Sequence, residues 1–277
     1  MQTIGRFRYL EALPRGTSSS PGRPRGAVGD PLGTLLLIHG FPLSARMWEP
    51  QLDLADHGWR VVAPQLRGFD GPPADPVAIS MDDYAGDVID LLDALRIEHA
   101  VIGGLSMGGY ITFAMFRHAP RYFRGMILAD TRAQGDTPEG IEGRRRMIQL
   151  VRDKGASAAA DEMLPKLVGQ STRTGRPEVV EQVRRLILSN STETIAGAIT
   201  ALMTRPDSTP LLSTIHCPAL VLVGDEDALT PPALSEEIQR GIGHAELAIV
   251  PGAGHMSNME EPAAFNAAVA RFLEYRV

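Results

Sequence analysis

One pentapeptide constrains the fold of this chain more than any other stretch. Gly104-Leu105-Ser106-Met107-Gly108 follows the run Ala100-Val101-Ile102-Gly103 and precedes a helix-compatible stretch from Gly109 to His118. This order predicts a buried strand, a very sharp turn and a helix. Such a turn strains the backbone at its centre and needs neighbours without bulk, and glycine stands two positions before and two positions after Ser106.

This turn would present the Ser106 hydroxyl at the N-terminus of a helix. The unpaired N–H groups and the dipole of a helix N-terminus favour developing negative charge, which suits a serine nucleophile. The pentapeptide alone is ambiguous, because the pattern G-x-S-x-G arises by chance in a chain with 28 glycines. The alternative is an ordinary strand-to-helix turn with a bystander serine, and the rest of the chain has to decide between the two.

Apolar runs alternate with helical patterns on both sides of this turn. Continuous apolar runs that alternate with helices are typical of a parallel sheet covered on both faces. The predicted fold class is therefore α/β, with a mostly parallel sheet, an edge strand near Phe7 and a long mobile surface loop from Pro14 to Gly33. Strands are predicted at residues 7–11, 34–38, 59–64, 100–103, 125–130, 219–223 and 246–250, and helices from Ser80 to Leu95 and at residues 109–118, 232–242 and 262–275.

The alternation stops between residues 131 and 213, where no convincing strand pattern occurs. Helices are predicted there at residues 138–154, 156–167, 177–188 and 193–203, with Gly155 as a helix stop. We therefore expect a core domain of residues 1–130 and 214–277 and an inserted helical cap of residues 131–213. The run Arg144-Arg145-Arg146 in this cap is interpreted as a solvated helix face rather than an anion-binding patch.

Composition excludes several classes of function. A formal net charge of -6 gives a nucleic-acid partner no electrostatic support. The single cysteine, Cys217, excludes an intrachain disulfide and a cysteine metal cluster. No apolar run approaches the length of a membrane span, and the N-terminus carries no secretory signal pattern. We therefore expect a cytoplasmic protein with no metal and no membrane or nucleic-acid partner.

A serine hydroxyl becomes a nucleophile when a base, usually histidine steadied by a carboxylate, takes its proton. Catalytic groups of parallel sheets gather at the carboxyl ends of the strands. Of the seven histidines, His255 follows the last predicted strand on a glycine-flanked loop. His39 also ends a strand, and we assign it a structural hydrogen bond. Spacing does not rank the four acids that compete as the partner of His255, which are Asp130, Asp225, Glu226 and Asp227.

Four segments together resemble the signatures of the α/β-hydrolase fold superfamily. They are His39-Gly40-Phe41-Pro42, Gly104-Leu105-Ser106-Met107-Gly108-Gly109, Gly224-Asp225-Glu226-Asp227 and Gly252-Ala253-Gly254-His255. The resemblance implies that fold with an inserted helical cap, and its closest branch is that of serine carboxylesterases and 3-oxoadipate enol-lactonases. The family pattern places the acid three residues after Gly224, at Asp227. It also places an oxyanion hole at the backbone N–H groups of Phe41 and Met107.

This resemblance implies hydrolysis of a small-molecule carboxylic ester or lactone through an acyl-enzyme on Ser106, with Asp227 and His255 completing a triad. No cofactor is needed. Three alternatives stay open: a carbon–carbon bond hydrolase, a cofactor-free perhydrolase or haloperoxidase, and a ligand-binding sensor with a sluggish triad.

Apolar residues near the motifs are the expected contacts of the substrate. Leu43, Trp48 and Met256 are assigned to substrate binding, together with apolar residues of the cap. The sequence does not decide the oligomeric state, and a homodimer is one of the forms it allows.

Overall fold

The computed structural model describes residues 1–15 and 30–277, and in this part of the chain eight strands form one sheet. The strands are β1 Gln2–Ile4, β2 Phe7–Ala12, β3 Gly33–Ile38, β4 Trp59–Gln65, β5 Ala100–Leu105, β6 Phe123–Ala129, β7 Ala219–Gly224 and β8 Glu246–Val250. Their order is β1-β2-β4-β3-β5-β6-β7-β8. β2 runs antiparallel to both of its neighbours, β1 and β4, and all the other neighbouring pairs are parallel. The predicted α/β class with a mostly parallel sheet is confirmed.

The N-terminal end of the chain differs from the prediction. The strand near Phe7 was expected at the edge of the sheet, but β1 pairs with β2 and forms the edge itself. A strand of three residues is too short to show a pattern of alternation in the sequence. Most of the predicted loop from Pro14 to Gly33 lies outside the described residues.

Helices cover the central strands of the sheet. Every residue of β5 is buried, and because neighbouring side chains of a strand point to opposite faces, both faces are covered there. The helices are α1 Met81–Ala94, α2 Met107–His118, α3 Pro138–Leu167, α4 Gln170–Gly175, α5 Pro177–Leu188, α6 Thr192–Met203, α7 Pro232–Ile242, α8 Ser257–Glu260 and α9 Pro262–Tyr275, with 3₁₀ segments at Ala45–His57, Pro120–Tyr122 and Thr209–Thr214.

Helices α3 to α6 follow one another between β6 and β7, and α3 packs against α5 and α6. Gly155 adopts a left-handed φ of 76° inside α3 and breaks it into two halves, at the glycine that the sequence marks as a helix stop. Leu212, in the 3₁₀ segment that follows α6, packs with Ile238 of α7 and so with the core. We call α3 to α6 the cap; its boundaries at residues 131 and 213 and its role as a separate domain stay predictions.

Within residues 1–15 and 30–277, no helix combines the length and the hydrophobicity needed to cross a bilayer. The cytoplasmic location expected from the sequence stays a prediction.

Candidate active site

Ser106 lies between β5 and α2 in a strained backbone conformation. Its φ of 56° and ψ of -114° fall where residues with a side chain rarely occur. Strain of this kind costs on the order of 1–3 kcal/mol, so the surrounding structure has to enforce it. The Ser106 N–H donates to the carbonyl oxygen of Ala129 at 2.9 Å, and the Thr131 hydroxyl donates to the Ser106 carbonyl at 2.9 Å. The end of β6 therefore holds the turn in place.

Glycines on both sides of Ser106 allow the turn to close. A Cβ atom on Gly104 would lie 2.1 Å from the carbonyl carbon of Gly108. A Cβ atom on Gly108 would lie 2.1 Å from the carbonyl oxygen of Ile38 in β3. Both contacts are with backbone, so neither position accepts a side chain without displacing a strand or a helix.

Asp227 and His255 meet at the ends of β7 and β8. Asp227 Oδ2 lies 2.8 Å from His255 Nδ1, and the side chains of both residues are buried. The Thr230 hydroxyl donates to the same oxygen at 2.7 Å. Asp227 Oδ1 accepts the N–H groups of Leu229 and Thr230 at 2.8 and 2.9 Å. The carboxylate is thus fixed on both oxygens and aims Oδ2 at the histidine ring.

The surroundings of Asp227 favour its ionised form. Burial opposes ionisation, but the facing His255 ring and the hydrogen bonds from His255 and Thr230 outweigh it and lower the pKa of the carboxyl group. An ionised Asp227 accepts the proton on Nδ1 of His255 and leaves Nε2 to act as a base. This is the pairing that the family resemblance implies, and the catalytic role of each residue stays a prediction.

Asp130 also lies at this edge of the sheet, but its oxygens bind other groups. Oδ1 accepts the N–H of Gly224 at 2.9 Å, and Oδ2 accepts the hydroxyl of Ser257. Burial, and then the nearby charge of Asp227, raise the pKa of Asp130 well above its ordinary value of 3.8. The two carboxyl groups therefore disfavour each other's ionisation, and Asp227 is the one whose pKa is lowered.

The other two candidate acids bind backbone or cap groups. Asp225 Oδ1 accepts the N–H of Gly252 at 2.7 Å. Glu226 accepts the N–H of Ser171, in α4, at 2.8 Å, and the hydroxyl of the same residue. Both acids therefore stabilise loops around the site, and Asp227 is the one placed against His255.

His39 makes the structural hydrogen bonds expected of it. Its Nε2 accepts the N–H of Leu66 at 3.3 Å, and its Nδ1 donates to the carbonyl of Gly40 at 3.1 Å. Complete burial lowers the pKa of His39 to about 4, although the bond to Gly40 opposes the shift. A neutral ring with both nitrogens engaged is not available as a base for Ser106.

Two backbone segments meet at Ser106 where an oxyanion would form. A Cβ atom on Gly40 would lie 3.5 Å from Cβ of Ser106, so Phe41, the next residue, adjoins the serine. Met107 is the first residue of α2, where an N–H group has no acceptor within the helix. The assignment of these two N–H groups to an oxyanion hole stays a prediction.

A cavity of about 760 Å³ lies between the cap and this edge of the sheet. Phe41 and Leu229 line its core side. Phe41 follows Gly40, which adjoins Ser106 in space, and the Leu229 N–H donates to Asp227. Its apolar wall from the cap consists of Met147, Leu150, Met163 and Ile199. Its charged wall consists of Arg132, Asp136, Arg144, Arg146, Glu162 and Lys166. Both apolar and charged parts of a small molecule can be accommodated.

A second cavity, of about 460 Å³, is lined by the loop that follows β4 and by residues of β2 and α1. Neither Phe41 nor Leu229 is among the described residues that line it. We therefore assign the substrate to the cavity under the cap, which both of these residues line.

The expected substrate contacts of Leu43, Trp48 and Met256 require correction. Their side chains are 0%, 1% and 0% exposed and are absent from the described lining of the cavity under the cap. Trp48 packs against Phe265 of α9, with ring centroids 5.9 Å apart. These residues fill the core that supports the site, because apolar side chains near a motif gain more from burial than from a water-accessible wall.

Glu260 is a residue of the site that the sequence analysis missed. Its carboxylate is fully buried and accepts three backbone N–H groups, from Gly254 at 3.0 Å, Met256 at 3.1 Å and Gly169 at 2.9 Å. Gly254 and Met256 flank His255, and Gly169 lies between α3 and α4 of the cap. Glu260 thus joins the histidine loop to the cap. It lies in α8, a helix of four residues, which is too short for a sequence pattern.

Known proteins resemble this chain in fold and, over most of its length, in sequence. The model of the alpha/beta hydrolase family matches residues 35–268. The chain is 31% identical over 259 residues to 3-oxoadipate enol-lactonase 2 of Acinetobacter baylyi, an alignment that covers 93% of this chain and 91% of that protein.

Two solved structures superpose over nearly the whole chain. A thermophilic esterase from Thermogutta terrifontis gives a TM-score of 0.87 at 38% identity, covering 97% of this chain and 93% of the esterase. The enol-lactonase from Burkholderia xenovorans LB400 gives a TM-score of 0.83 at 27% identity, covering 97% of this chain and 96% of that one.

Proposed function

This chain belongs to the alpha/beta hydrolase family, in the branch of esterases and enol-lactonases, and we propose that it hydrolyses a carboxylic ester or lactone through an acyl-enzyme on Ser106. The observation that carries the proposal is the buried Asp227–His255 contact of 2.8 Å at the sheet edge where the strained Ser106 turn lies. The similarity to an esterase and to two enol-lactonases supports the choice of an ester or lactone as the substrate class.

In the first half of the reaction, His255 Nε2 takes the proton of the Ser106 hydroxyl as Oγ attacks the carbonyl carbon. The electron pair of the carbonyl moves to its oxygen, and the N–H groups of Phe41 and Met107 bind this oxyanion. Asp227 stabilises the imidazolium. The oxyanion then collapses, the bond to the alcohol oxygen breaks, and His255 gives its proton to that oxygen.

In the second half, a water molecule takes the place of the alcohol. His255 removes a proton from the water as its oxygen attacks the acyl carbon, and the same N–H groups bind the second oxyanion. Collapse breaks the bond to Ser106 Oγ, which takes the proton back from His255. The acid leaves, and for a lactone the acid carries the alcohol as well.

The replacement Ser106→Ala tests the proposal. We expect turnover of short para-nitrophenyl esters to fall by more than about 10³-fold, because no other group can form the acyl-enzyme. Unchanged circular dichroism and unfolding midpoint would show that the variant keeps its fold. A variant that keeps more than a tenth of wild-type turnover would refute Ser106 as the nucleophile.

The wild-type protein separates the remaining alternatives. We expect turnover on a panel of short esters and lactones, and none on vinylogous diketones, the substrates of carbon–carbon hydrolases. Peracid formation from acetate and hydrogen peroxide would favour a perhydrolase. Negligible turnover on the whole panel would favour the ligand-binding sensor.

A further inference from the structure

Three arginines converge on Asp136 where the cap joins the core. The Asp136 carboxylate is 2% exposed, and its Oδ1 accepts from Arg132 Nη2 at 2.5 Å and from Arg205 Nη2 at 2.8 Å. Its Oδ2 accepts from Arg144 Nε at 2.5 Å. Burial opposes ionisation, but the hydrogen bonds from Arg205 and Arg144 lower the pKa of Asp136 to about 2. One negative charge therefore faces three positive charges.

Arg205 is the most buried arginine of this cluster. It is buried, donates to the carbonyls of Leu202 and Gln134 as well as to Asp136, and stacks on Tyr110 with its guanidinium 4.3 Å from the ring centroid. One guanidinium balances the charge of the Asp136 carboxylate. The two further arginines add mutual repulsion that a second anion would relieve.

The surplus arginines face the cavity under the cap. Arg132 and Arg144 both line it, and their side chains are each 26% exposed. Each uses one of its nitrogens on Asp136, which leaves further N–H groups for a ligand.

The arginine pair is also close to the reacting centre. Arg132 directly follows Thr131, whose hydroxyl donates to the carbonyl of Ser106 at 2.9 Å. The same cavity has Phe41 and Leu229 in its wall, beside Ser106 and Asp227. A carboxylate on Arg132 and Arg144 can therefore belong to the molecule whose ester group reaches Ser106.

We propose that Arg132 and Arg144 form a carboxylate-binding subsite, and that the natural substrate is an ester or lactone that carries a free carboxylate. This inference rests on the proposed hydrolase function and narrows its substrate class. Guanidinium groups bind carboxylates through paired, charge-assisted hydrogen bonds, which gives this subsite both charge and geometric selectivity.

Pairs of esters that differ only in charge test the subsite. Monoethyl malonate, succinate and glutarate are compared with ethyl esters in which an isopropyl group replaces the carboxylate, and ethanol release gives kcat/KM. We expect at least one charged ester to exceed its neutral match by about tenfold or more. Added salt should reduce this preference, since part of it is electrostatic.

The neighbouring arginines of α3 supply a matched control. Arg144→Gln should reduce the ratio of charged to neutral kcat/KM by about tenfold, and Arg132→Gln should act in the same direction. Arg145 is 64% exposed, pairs with Glu142 and does not line the cavity, so Arg145→Gln should leave the ratio unchanged. Equal ratios in the Arg144 and Arg145 variants would overturn the subsite.

Inhibition of the wild-type protein tests carboxylate recognition without any variant, so misfolding cannot affect the result. It also does not matter whether the acid or the alcohol part of the substrate bears the charge. We expect succinate to inhibit hydrolysis of a neutral ester at a concentration about tenfold lower than succinamide does. Hydrolysis with no charge preference, and with no difference between these inhibitors, would overturn the subsite alone. Absence of hydrolysis of every ester would instead overturn the proposed function.

Discussion

Asp227 and Asp130 are buried carboxylates at the ends of the neighbouring strands β7 and β6, yet their surroundings favour opposite charge states. Asp227 faces His255 and accepts four hydrogen bonds, and its pKa is lowered. Asp130 accepts the N–H of Gly224 and the hydroxyl of Ser257, and burial together with the charge of Asp227 raises its pKa. The two residues differ in their partners more than in their position.

This comparison shows why a strand end is not enough to assign a catalytic acid. Both positions satisfy the rule that functional groups gather at the carboxyl ends of parallel strands. A carboxylate that steadies an imidazolium has to be ionised and has to contact the ring. In this structure the loop after β7, through Thr230 and Leu229, supplies the donors that keep Asp227 ionised, and Asp130 has fewer such donors.

Among the variants that test this comparison, Asp227→Asn should have the largest effect on kcat. The amide keeps the size of the side chain, but it neither fixes the Nδ1–H tautomer of His255 nor stabilises the imidazolium. We expect kcat on a short ester to fall by about 10⁴-fold, the loss found for the same change in the trypsin template. A loss of less than tenfold would place the supporting charge elsewhere, with Asp130 as the first candidate.

Glu260 is a third buried carboxylate near the site, and the partners of its side chain are all backbone N–H groups. The replacement Glu260→Gln tests what this carboxylate does. An amide can accept through only one of its two polar atoms, so either the loop of His255 or the cap at Gly169 loses its anchor. Because a displacement of about 1 Å at a catalytic group can cost about 10²-fold, we expect kcat to fall by roughly 10- to 100-fold.

The adjacent residue provides the control for Glu260. Glu261 is partly exposed and pairs with Arg176, so Glu261→Gln should leave kcat within about twofold of wild type. A positioning role also predicts that kcat falls more than KM changes, and that Glu260→Asp recovers part of the loss. Equal kcat values for the two Gln variants would show that Glu260 does not position His255.

The smallest effect on turnover is expected from Asp130→Asn. The amide oxygen can accept from Gly224 as Oδ1 does, and the amide nitrogen can keep a hydrogen bond to Ser257 with donor and acceptor exchanged, so kcat should stay within about fivefold of wild type. A raised pKa means that the folded protein holds this proton while the unfolded chain loses it above about pH 4. The contribution of Asp130 to stability is therefore full at low pH and lost as the pH rises towards its folded pKa.

Urea unfolding at a series of pH values measures this difference. We expect the unfolding free energy of Asp130→Asn to decline less than that of wild type as the pH rises from about 4 to about 7. Asp227 acts in the opposite direction, because its lowered pKa contributes stability above its unfolded pKa that is lost as the pH falls. Parallel pH curves for wild type and Asp130→Asn would show that Asp130 is ionised in the fold.

Much of the fold follows from the sequence because the signals are local. Long apolar runs indicate the central strands, and Gly155 breaks α3 where the sequence marks a stop. The strand β1 and the 3₁₀ segment Ala45–His57 were not predicted. The first is too short for a pattern, and the second contains Pro50, which disfavours a helix in a reading of the sequence.

The candidate site also combines residues that the sequence indicates with residues that it does not indicate. The glycines of the Ser106 turn and the loop of His255 carry strong local signals, and the family pattern points to Asp227. The lining of the cavity carries no such signal. Whether an apolar residue such as Trp48 faces a substrate or another helix depends on packing between distant segments. Which residue of Arg144-Arg145-Arg146 faces the cavity depends on how α3 lies over the core.

Covalent labelling with an organophosphonate tests the central claim most directly. Such a probe reacts with a serine activated by a base and an oxyanion hole, and mass spectrometry of peptides locates the phosphonyl group. The account predicts one adduct, on Ser106, that is absent from Ser106→Ala and forms far more slowly in His255→Ala. An adduct on another residue, or failure of the wild-type protein to react while it hydrolyses esters, would contradict the account.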